Sequence, residues 1–530
     1  MKGEGATTTT RRIVTYMGRF DRRARTGMLV GALAMFFALD VAFLLSMAGM
    51  PFVADSLGQA IIDVLPGFIS IPLIEALHQW AKILLIVGVI ALFLIDGAAT
   101  GFLAASRRRT TAVLGVGLLP WVAAFVFARL FSPQRIEPVT SLIDAAVGAA
   151  VFLAALAFIL PSALDRSAGT APASPSRRRA LLGTAAVAAA IAIVSLPLSR
   201  IAAVGSGGLG NVALAARRLR TRADIAPADP AIDGLPGITP RITANEDHYT
   251  VDTTLVKPRV LIDEWRLDIK GLVEAPFSLT YDQLLDLEAV EQVHTLECIS
   301  NYVGGDLIST ALWTGAPLRD LLNRAQVKSG AYDVVFTSVD GYTDSIPIAK
   351  AMEDRTLVAY LMNGKTVPQD HGYPARMLVP NIYGMKNVKW IRTIEVVNYD
   401  FIGYWQQQGW SDGAPVNTNA RIDLPSRNIR WTGGAITVAG IAFAGARGIS
   451  KVELSSDGAK SWGLATLEAA MGPLTWRRWS YAWTPNGAGP ATLIVRATDG
   501  TGNTETPVGR APYPDGATGY DSLDVTIQRG

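Results

Sequence analysis

The sequence has one cysteine, Cys298, and four histidines in 530 residues. A single thiol excludes an intramolecular disulfide and any Cys-rich zinc or iron–sulfur site. It also leaves the redox compartment unread, so that inference has to come from chain topology. Only His78 lies near an apolar run, which excludes a b-type haem held by two histidines among the apolar helices. Charge of one sign is missing too: 48 Lys and Arg against 45 Asp and Glu leave a net +3. A nucleic-acid partner would want a concentrated basic face, so none is expected.

What is present is unevenly spread. A chain of this length needs more than one core. Up to about Val204 it is largely apolar, and after Asp224 it reads as a soluble protein. Five stretches are long enough to cross a bilayer as helices: Met28–Gly49, Trp80–Ala99, Thr111–Leu130, Val139–Leu160 and Ala180–Val204. Ile61–Ile74 is shorter and broken by Pro66 and Pro72, which predicts an interfacial or re-entrant piece. Lys and Arg cluster in the N-terminal tail (Lys2 to Arg25), at Arg107–Arg109 and at Arg166 to Arg179, and none falls between Met50 and Gln79. The positive-inside rule then places the N-terminus in the cytoplasm and everything after Val204 outside. This predicts a multi-pass protein of the cell (inner) membrane with an extracytoplasmic, periplasmic soluble half. Arg217, Arg218, Arg220 and Arg222 run against that rule, which long exported domains override. The run Ser176-Arg177-Arg178-Arg179-Ala180-Leu181-Leu182 resembles a twin-arginine export signal placed internally, with plain positive-inside charge as the competing reading. Asp40 falls inside the first span, where a charge suggests function by default. A buried pair with Arg129 or Lys82, or a protonated acid, is the blander account.

The expected organisation is a basic cytoplasmic tail (1–26), an all-α transmembrane bundle (27–204), a Gly-, Ala- and Pro-rich linker (205–241), an α+β domain (242–412) and a strand-rich domain (413–530). In the α+β part, Trp265–Leu272 alternates as a strand, Thr280 is a helix N-cap, Leu318–Arg324 is a short helix, and Val290–Cys298 is a strand running into the loop Ile299–Asp306. In the last part, Gly434–Phe443 and Gly448–Ser455 alternate, Ser456-Asp457-Gly458 marks a hairpin turn, and Trp462, Trp476, Trp479 and Trp483 supply the filling of a β-sandwich.

An isolated cysteine is most often a small buried hydrophobe. The neighbours of Cys298 change that. His294-Thr295-Leu296-Glu297-Cys298-Ile299-Ser300-Asn301, Gly304-Gly305-Asp306 and Leu312-Trp313-Thr314-Gly315-Ala316-Pro317-Leu318 together resemble the molybdenum-binding segment of the sulfite oxidase family. The likeness is to its bacterial, membrane-anchored members with a C-terminal dimerisation domain. It implies a molybdenum–molybdopterin cofactor with Cys298 as metal ligand and catalytic residue; a soft thiolate suits such a metal. Asn245-Glu246-Asp247-His248-Tyr249 resembles the family's first pterin-contacting loop, implying Asn245, His248 and Tyr249. Tyr342-Thr343-Asp344-Ser345-Ile346-Pro347 resembles the loop whose tyrosine stands beside the molybdenum oxo group, implying Tyr342 as a second catalytic residue. Asp370 to Arg376 implies His371 and Arg376 as pterin contacts. Tyr383 to Trp390 implies Asn387, Val388 and Lys389, and Ser338 falls where a hydroxyl contact is expected. The anionic phosphate of the pterin suits Arg376 as a planar fork and Lys389 as a point charge.

The sequence departs from the family where sulfite would be held. Tyr302 and Val303 stand where substrate-binding arginines are expected, and Glu246-Asp247-His248 replaces an Arg-Asn-His run. The resemblance therefore implies oxygen-atom transfer to or from a sulfur-containing substrate, with reduction of an S- or N-oxide, in the manner of methionine sulfoxide reductase, as the alternative. Lys451-Val452-Glu453-Leu454-Ser455-Ser456-Asp457-Gly458, with Arg496 to Gly500, resembles the family's immunoglobulin-like dimerisation domain and implies a homodimer. With no cytochrome-b5 part and no haem in the chain, a separate electron-transfer partner is implied, a cytochrome c or a quinone-linked protein, beside a small-molecule or sulfoxide substrate. A non-enzymatic adhesion or receptor protein using the β-sandwich remains the contrasting reading; it predicts no bound metal.

Overall fold

The computed structural model describes residues 22–47, 52–65, 69, 73, 77, 80–106, 110–131, 138–167, 213–254, 257–258 and 260–530. The fifth apolar stretch, the Arg177–Arg179 run and His78 lie outside the described residues. The chain divides into two units, Met1–Gly205 with Thr254–Val256, and Ser206–Thr253 with Lys257–Gly530.

The first unit is helical: α1 (Arg22–Met47), α2 (Val53–Val64), α3 (Trp80–Ala105), α4 (Thr110–Phe131) and α5 (Pro138–Ser167). Of these, α1, α3, α4 and α5 are long and apolar enough to cross a membrane. Small residues let α1 and α3 approach closely. Gly27 and Gly31 face Gly101 and Gly97, and a Cβ on any of the four would run into the other helix. Spacing of this kind is how apolar helices gain contact where lipid removes the hydrophobic drive. Trp121 of α4 fills the space over Gly148 of α5 and meets Phe93 of α3 edge-on, with ring centroids 5.2 Å apart. The α2 helix takes up the first residues of the segment expected to be re-entrant.

The second unit holds four sheets. Two carry the α+β part. The first is built from β1 (Leu219–Thr221), β4 (Ala289–Glu297), β5 (Ile308–Pro317), β8 (Leu357–Met362) and β10 (Arg376–Leu378), with β9 (Lys365–Thr366) on β8. The second is β3 (Phe277–Leu279), β2 (Leu267–Gly271), β11 (Ile391–Val397), β6 (Asp333–Ser338) and β7 (Thr343–Pro347). The helix Leu318–Ala325 turns Leu318, Leu321, Leu322 and Ala325 into their common core, the spacing of one helical face. Thr280 caps Tyr281–Leu285 through a reciprocal capping box with Gln283.

The remaining strands form two facing sheets. One is β12 (Asn419–Leu424), β14 (Ile436–Phe443), β18 (Arg477–Trp483) and β17 (Thr466–Leu467). The other is β13 (Asn428–Trp431), β20 (Asp521–Arg529), β19 (Gly489–Asp499), β15 (Ile449–Ser455) and β16 (Gly463–Leu464). Val438, Ala442, Trp479 and Trp483 meet Val452, Leu454, Leu493, Val495 and Val525 in the core between them. Two of the four expected tryptophans do something else. Trp462 is half-buried against Tyr520 and under Arg496. Trp476 precedes β18 and is bound to the α+β part: its backbone N–H donates to Thr295 Oγ1 at 2.9 Å and its indole N–H to the Arg241 carbonyl at 3.1 Å.

The expected linker is not a free tether from Ala213 onward. Leu219–Thr221 pairs with β4 in parallel. Arg217 pairs with Asp282 (2.8 Å) and Asp286 (3.0 Å), and Arg220 with Asp320 (3.0 Å). Further on, Asp233 pairs with Arg478 at 2.8 Å and the Thr239 N–H donates to Asp423 at 3.1 Å. The segment is a strap tied to both parts of the unit. The arginines that ran against the positive-inside pattern include ones that this fold uses locally.

Candidate functional site

Cys298 is the first residue after β4, a strand buried between β1 and β5. That placement holds the thiol firmly. Its N–H donates to the Leu307 carbonyl at 2.9 Å, and its carbonyl accepts from the Asn301 N–H at 3.0 Å. The Asn301 side chain closes the turn, donating to Glu297 and accepting from the Leu307 N–H, both at 3.0 Å. Sγ lies 3.0 Å from Ser300 Oγ. Burial pushes the thiol pKa up, so Cys298 is a thiol here and would surrender its proton to a metal.

Four other segments converge on this strand end. A Cβ on Gly384 would lie 2.7 Å from the Tyr249 hydroxyl and 3.3 Å from the Glu297 carbonyl, so the loop before Asn387 runs against both. Gly372 has φ +111°, a conformation that glycine adopts without strain. Its missing side chain lets Lys389 and Arg376 close in, their Cβ atoms about 3 Å from where its own would be. The His248 ring stacks on Tyr249 (5.5 Å, 19°) and meets Trp313 (6.0 Å) and His371 (5.1 Å) edge-on.

Arg376 sits in the middle. It is 4% exposed, with its guanidinium 5.2 Å from the Trp313 ring centroid. It donates to two carbonyls, His371 at 3.0 Å and Asn387 at 3.1 Å, and among the described residues no carboxylate forms an ion pair with it. Burial lowers its pKa from 12.5 to about 10. His248 Nε2, His371 Nδ1 and Trp313 Nε1 are buried without a hydrogen-bond partner. Burial also holds the imidazoles neutral, His371 down to about 4 and His248 well below its ordinary value. A buried cation without a counter-anion, ringed by unsatisfied nitrogens, is costly for a protein alone. It fits an anionic group with many polar atoms. Among the described residues no three His, Cys, Asp or Glu side chains converge as a metal cage, so a metal at Cys298 would need its other ligands from a chelate.

Residues 254–405 match the family described as oxidoreductase molybdopterin binding domain. Human mitochondrial sulfite oxidase is 30% identical over 306 residues, covering 49% of this chain and 56% of that protein. Spinach NADH nitrate reductase is 28% identical over 269 residues, covering 40% of this chain and 29% of that protein. The sulfane dehydrogenase SoxCD of Paracoccus pantotrophus is a solved structure with 23% identity and a TM-score of 0.49, covering 56% of this chain and 86% of that one. The chain carries a molybdopterin-binding oxidoreductase domain similar to that of the sulfite oxidases. It spans a little over half the length of human sulfite oxidase.

The remaining family positions are placed as follows. Asn245 accepts from Asn363 Nδ2 at 2.8 Å, donates to the Met362 carbonyl at 3.3 Å, and offers its own carbonyl to His371 Nε2 at 2.8 Å. Asn387 is a loop lock, its side chain accepting from Val379 N–H (2.7 Å) and donating to the Tyr383 carbonyl (3.2 Å). Val388 lies in the core, and its carbonyl accepts from the Met377 N–H at 2.8 Å. Lys389 is ion-paired with Asp252 and donates to the Asp370 carbonyl at 2.9 Å. Its charge is therefore already answered in part, unlike that of Arg376. Ser338 is buried at the end of β6. Tyr342 is buried, with its hydroxyl 3.0 Å from Asp344 Oδ2 and 2.9 Å from the Met385 carbonyl. Tyr302 is 47% exposed, and Glu246 and Asp247 are exposed.

Sequence reasoning missed Trp313, Asp252 and the pair Asp344–Lys386 (3.0 Å), in which both side chains are buried. Trp313 stood inside the quoted motif but reads as ordinary strand packing. Nothing near Asp252 in sequence points to Lys389, 137 positions away.

Proposed function

We propose that this protein moves an oxygen atom between water and a sulfur-containing substrate at a molybdopterin-held molybdenum ligated by Cys298. The observation that supports it most is Arg376, a buried cation among unpartnered ring nitrogens beside the Cys298 strand end. When bound, the cofactor supplies the two-electron chemistry, and the protein supplies position and electrostatics. Arg376 and His371 hold the anionic end, helped by Lys389 once its bond to Asp252 is shared. His248, Tyr249 and Asn245 line the opposite wall, while Asn387, Val388 and Ser338 keep the loops in register. Tyr342 stands beside the reacting atoms, its proton held by Asp344 or the Met385 carbonyl.

A second reading, reduction of an S- or N-oxide, is favoured by the exposed Tyr302 and by Glu246 and Asp247, since carboxylates near a sulfite site repel the anion. We place the four long helices, with Ala180–Val204 as a fifth span, in the cell membrane, the N-terminus cytoplasmic and the catalytic unit periplasmic. The two facing sheets serve as an immunoglobulin-like dimerisation domain, and electrons pass to a cytochrome c or a quinone-linked protein. The test is full-length protein purified in detergent, assayed for molybdenum and pterin, then for sulfite-dependent and sulfoxide-dependent turnover with artificial electron carriers. Molybdenum near one per chain with sulfite-driven turnover is expected. Turnover with sulfoxide alone would transfer the assignment to the second reading, and protein free of molybdenum would overturn both.

A further inference from the structure

Five aromatic rings run in unbroken succession from Tyr342 to the surface. Ring centroids are 6.1 Å apart for Tyr342–Tyr404, 5.1 Å for Tyr404–Trp405, 6.2 Å for Trp405–Trp410 and 5.3 Å for Trp410–Tyr513. The inner ring is tied to the site: the Tyr342 hydroxyl reaches the Met385 carbonyl, two residues before the Asn387 carbonyl that holds Arg376. The outer ring, Tyr513, is 43% exposed. Sheet packing does not explain the row, because its middle members lie on the one-turn helix Tyr404–Gln407 and the loop after it. Trp410 is buried with its indole N–H unpartnered, a cost that a Phe or Leu would avoid. The ring itself is what the position keeps.

We propose that this row is the electron exit of the enzyme, delivering single electrons to a small basic one-electron carrier protein that docks around Tyr513. The proposal rests on the oxidative direction of the proposed function. In that direction substrate and water yield oxidised substrate, two protons and two electrons. The protons go to solvent, and each electron reduces one of two molecules of oxidised carrier. Electron tunnelling falls off steeply with distance through saturated or water-filled gaps, and contacting conjugated rings shorten those gaps. The outlet fits such a partner. Tyr513 is exposed beside the exposed carboxylates Asp412 and Asp515, whose segments are joined by the Ser411 N–H donating to the Pro514 carbonyl at 3.1 Å, and Tyr399, Asp400 and Ile402 are exposed in the segment leading to Tyr404. Among the described residues the cation ion-paired with Asp412 is Lys386, which Asp412 shares with Asp344. Apolar contacts ringed by acids favour a partner with a basic face, steered by charge.

The test uses full-length, molybdenum-loaded enzyme reduced chemically rather than by substrate, then mixed with oxidised cytochrome c as the basic probe. Reoxidation is followed by stopped flow and by the molybdenum(V) resonance. Trp410→Leu and Tyr513→Ala are expected to slow carrier reduction at least tenfold at unchanged molybdenum content. Trp410→Phe is expected to recover most of the rate, and Trp462→Leu, a ring pair elsewhere on the surface, to stay within twofold of wild type. Raising ionic strength is expected to slow the wild type. Unchanged rates in Trp410→Leu and Tyr513→Ala would overturn the route alone, and a salt-independent rate would overturn the basic partner. Wild-type protein without molybdenum would sink the proposed function and the route with it.

Discussion

Replacing Arg376 by Met is expected to separate cofactor retention from folding. Burial lowers the guanidinium pKa from 12.5 to about 10. At about 1.4 kcal/mol per unit, roughly 3 kcal/mol stands against its charged form in the folded protein. Its bonds to the His371 and Asn387 carbonyls return about 1.5–3 kcal/mol each. At the lower end of that range the two bonds just offset the burial cost, and at the upper end they exceed it by about 3 kcal/mol. Cofactor-free Arg376→Met should therefore melt within several degrees of cofactor-free wild type. With cofactor the balance differs, because removing one partner of a buried charged pair costs about 2–5 kcal/mol, a roughly thirty- to several-thousand-fold loss of affinity. The assay is molybdenum per chain after purification, alongside thermal melting of protein made with and without cofactor synthesis in the host. Arg376→Lys keeps the charge but not the fork, and should retain an intermediate amount. Wild-type molybdenum content in Arg376→Met would refute the reasoning. So would a cofactor-free variant that no longer folds, since that would make Arg376 a structural cation.

Three further outcomes are expected. Lys386→Met strands the buried Asp344 carboxylate and should cost about 3–5 kcal/mol, whereas Asp412→Ala, whose side chain is half exposed, should cost under about 1 kcal/mol; their denaturant midpoints compare the two. His294 is buried, and its pKa is pushed down to about 3, so the unfolded chain takes up its proton first as pH falls below about 6.5. Stability should then drop by up to about 1.4 kcal/mol per pH unit from there towards pH 3, and His294→Leu should flatten that part of a melting-temperature profile between pH 7 and 5. Gly31→Leu should lower the melting temperature of the helical unit in detergent through overpacking of about 1–3 kcal/mol or more, while Gly88→Leu, where a side chain meets open space, should not.

Features written within a few residues of each other were legible before any coordinates. The Thr280 N-cap, the short helix from Leu318 and the strand that delivers Cys298 to a turn each depend on local spacing, and each is found within a residue of where the pattern put it. The cofactor loops were assigned by resemblance, because five of them occur in family order. What escaped is polar and distant. Arg217 and Arg220 look like surplus positive charge until Asp282, Asp286 and Asp320, some 65 to 100 positions on, are brought beside them. Trp476 reads as sandwich filling until its N–H meets Thr295, 181 positions away. Hydrophobic periodicity reports which face is buried and says nothing of which element a buried polar group will meet.

Tyr342 shows how far that limit reaches into the chemistry. Residues two apart on an extended chain share a face, so Tyr342 and Asp344 were bound to be neighbours. Whether Asp344 takes the phenol proton depends on its charge, and that depends on Lys386, 42 positions further along. Lys386 pulls the Asp344 pKa down against the burial that raises it, and Asp344 competes with the Met385 carbonyl for the single proton of the phenol. A tyrosine so engaged offers lone pairs to its remaining neighbours. To donate to a developing negative charge it must first give up a buried, charge-assisted bond worth about 1.5–3 kcal/mol. A dianionic substrate gains little from such a group, and a neutral sulfur compound loses little.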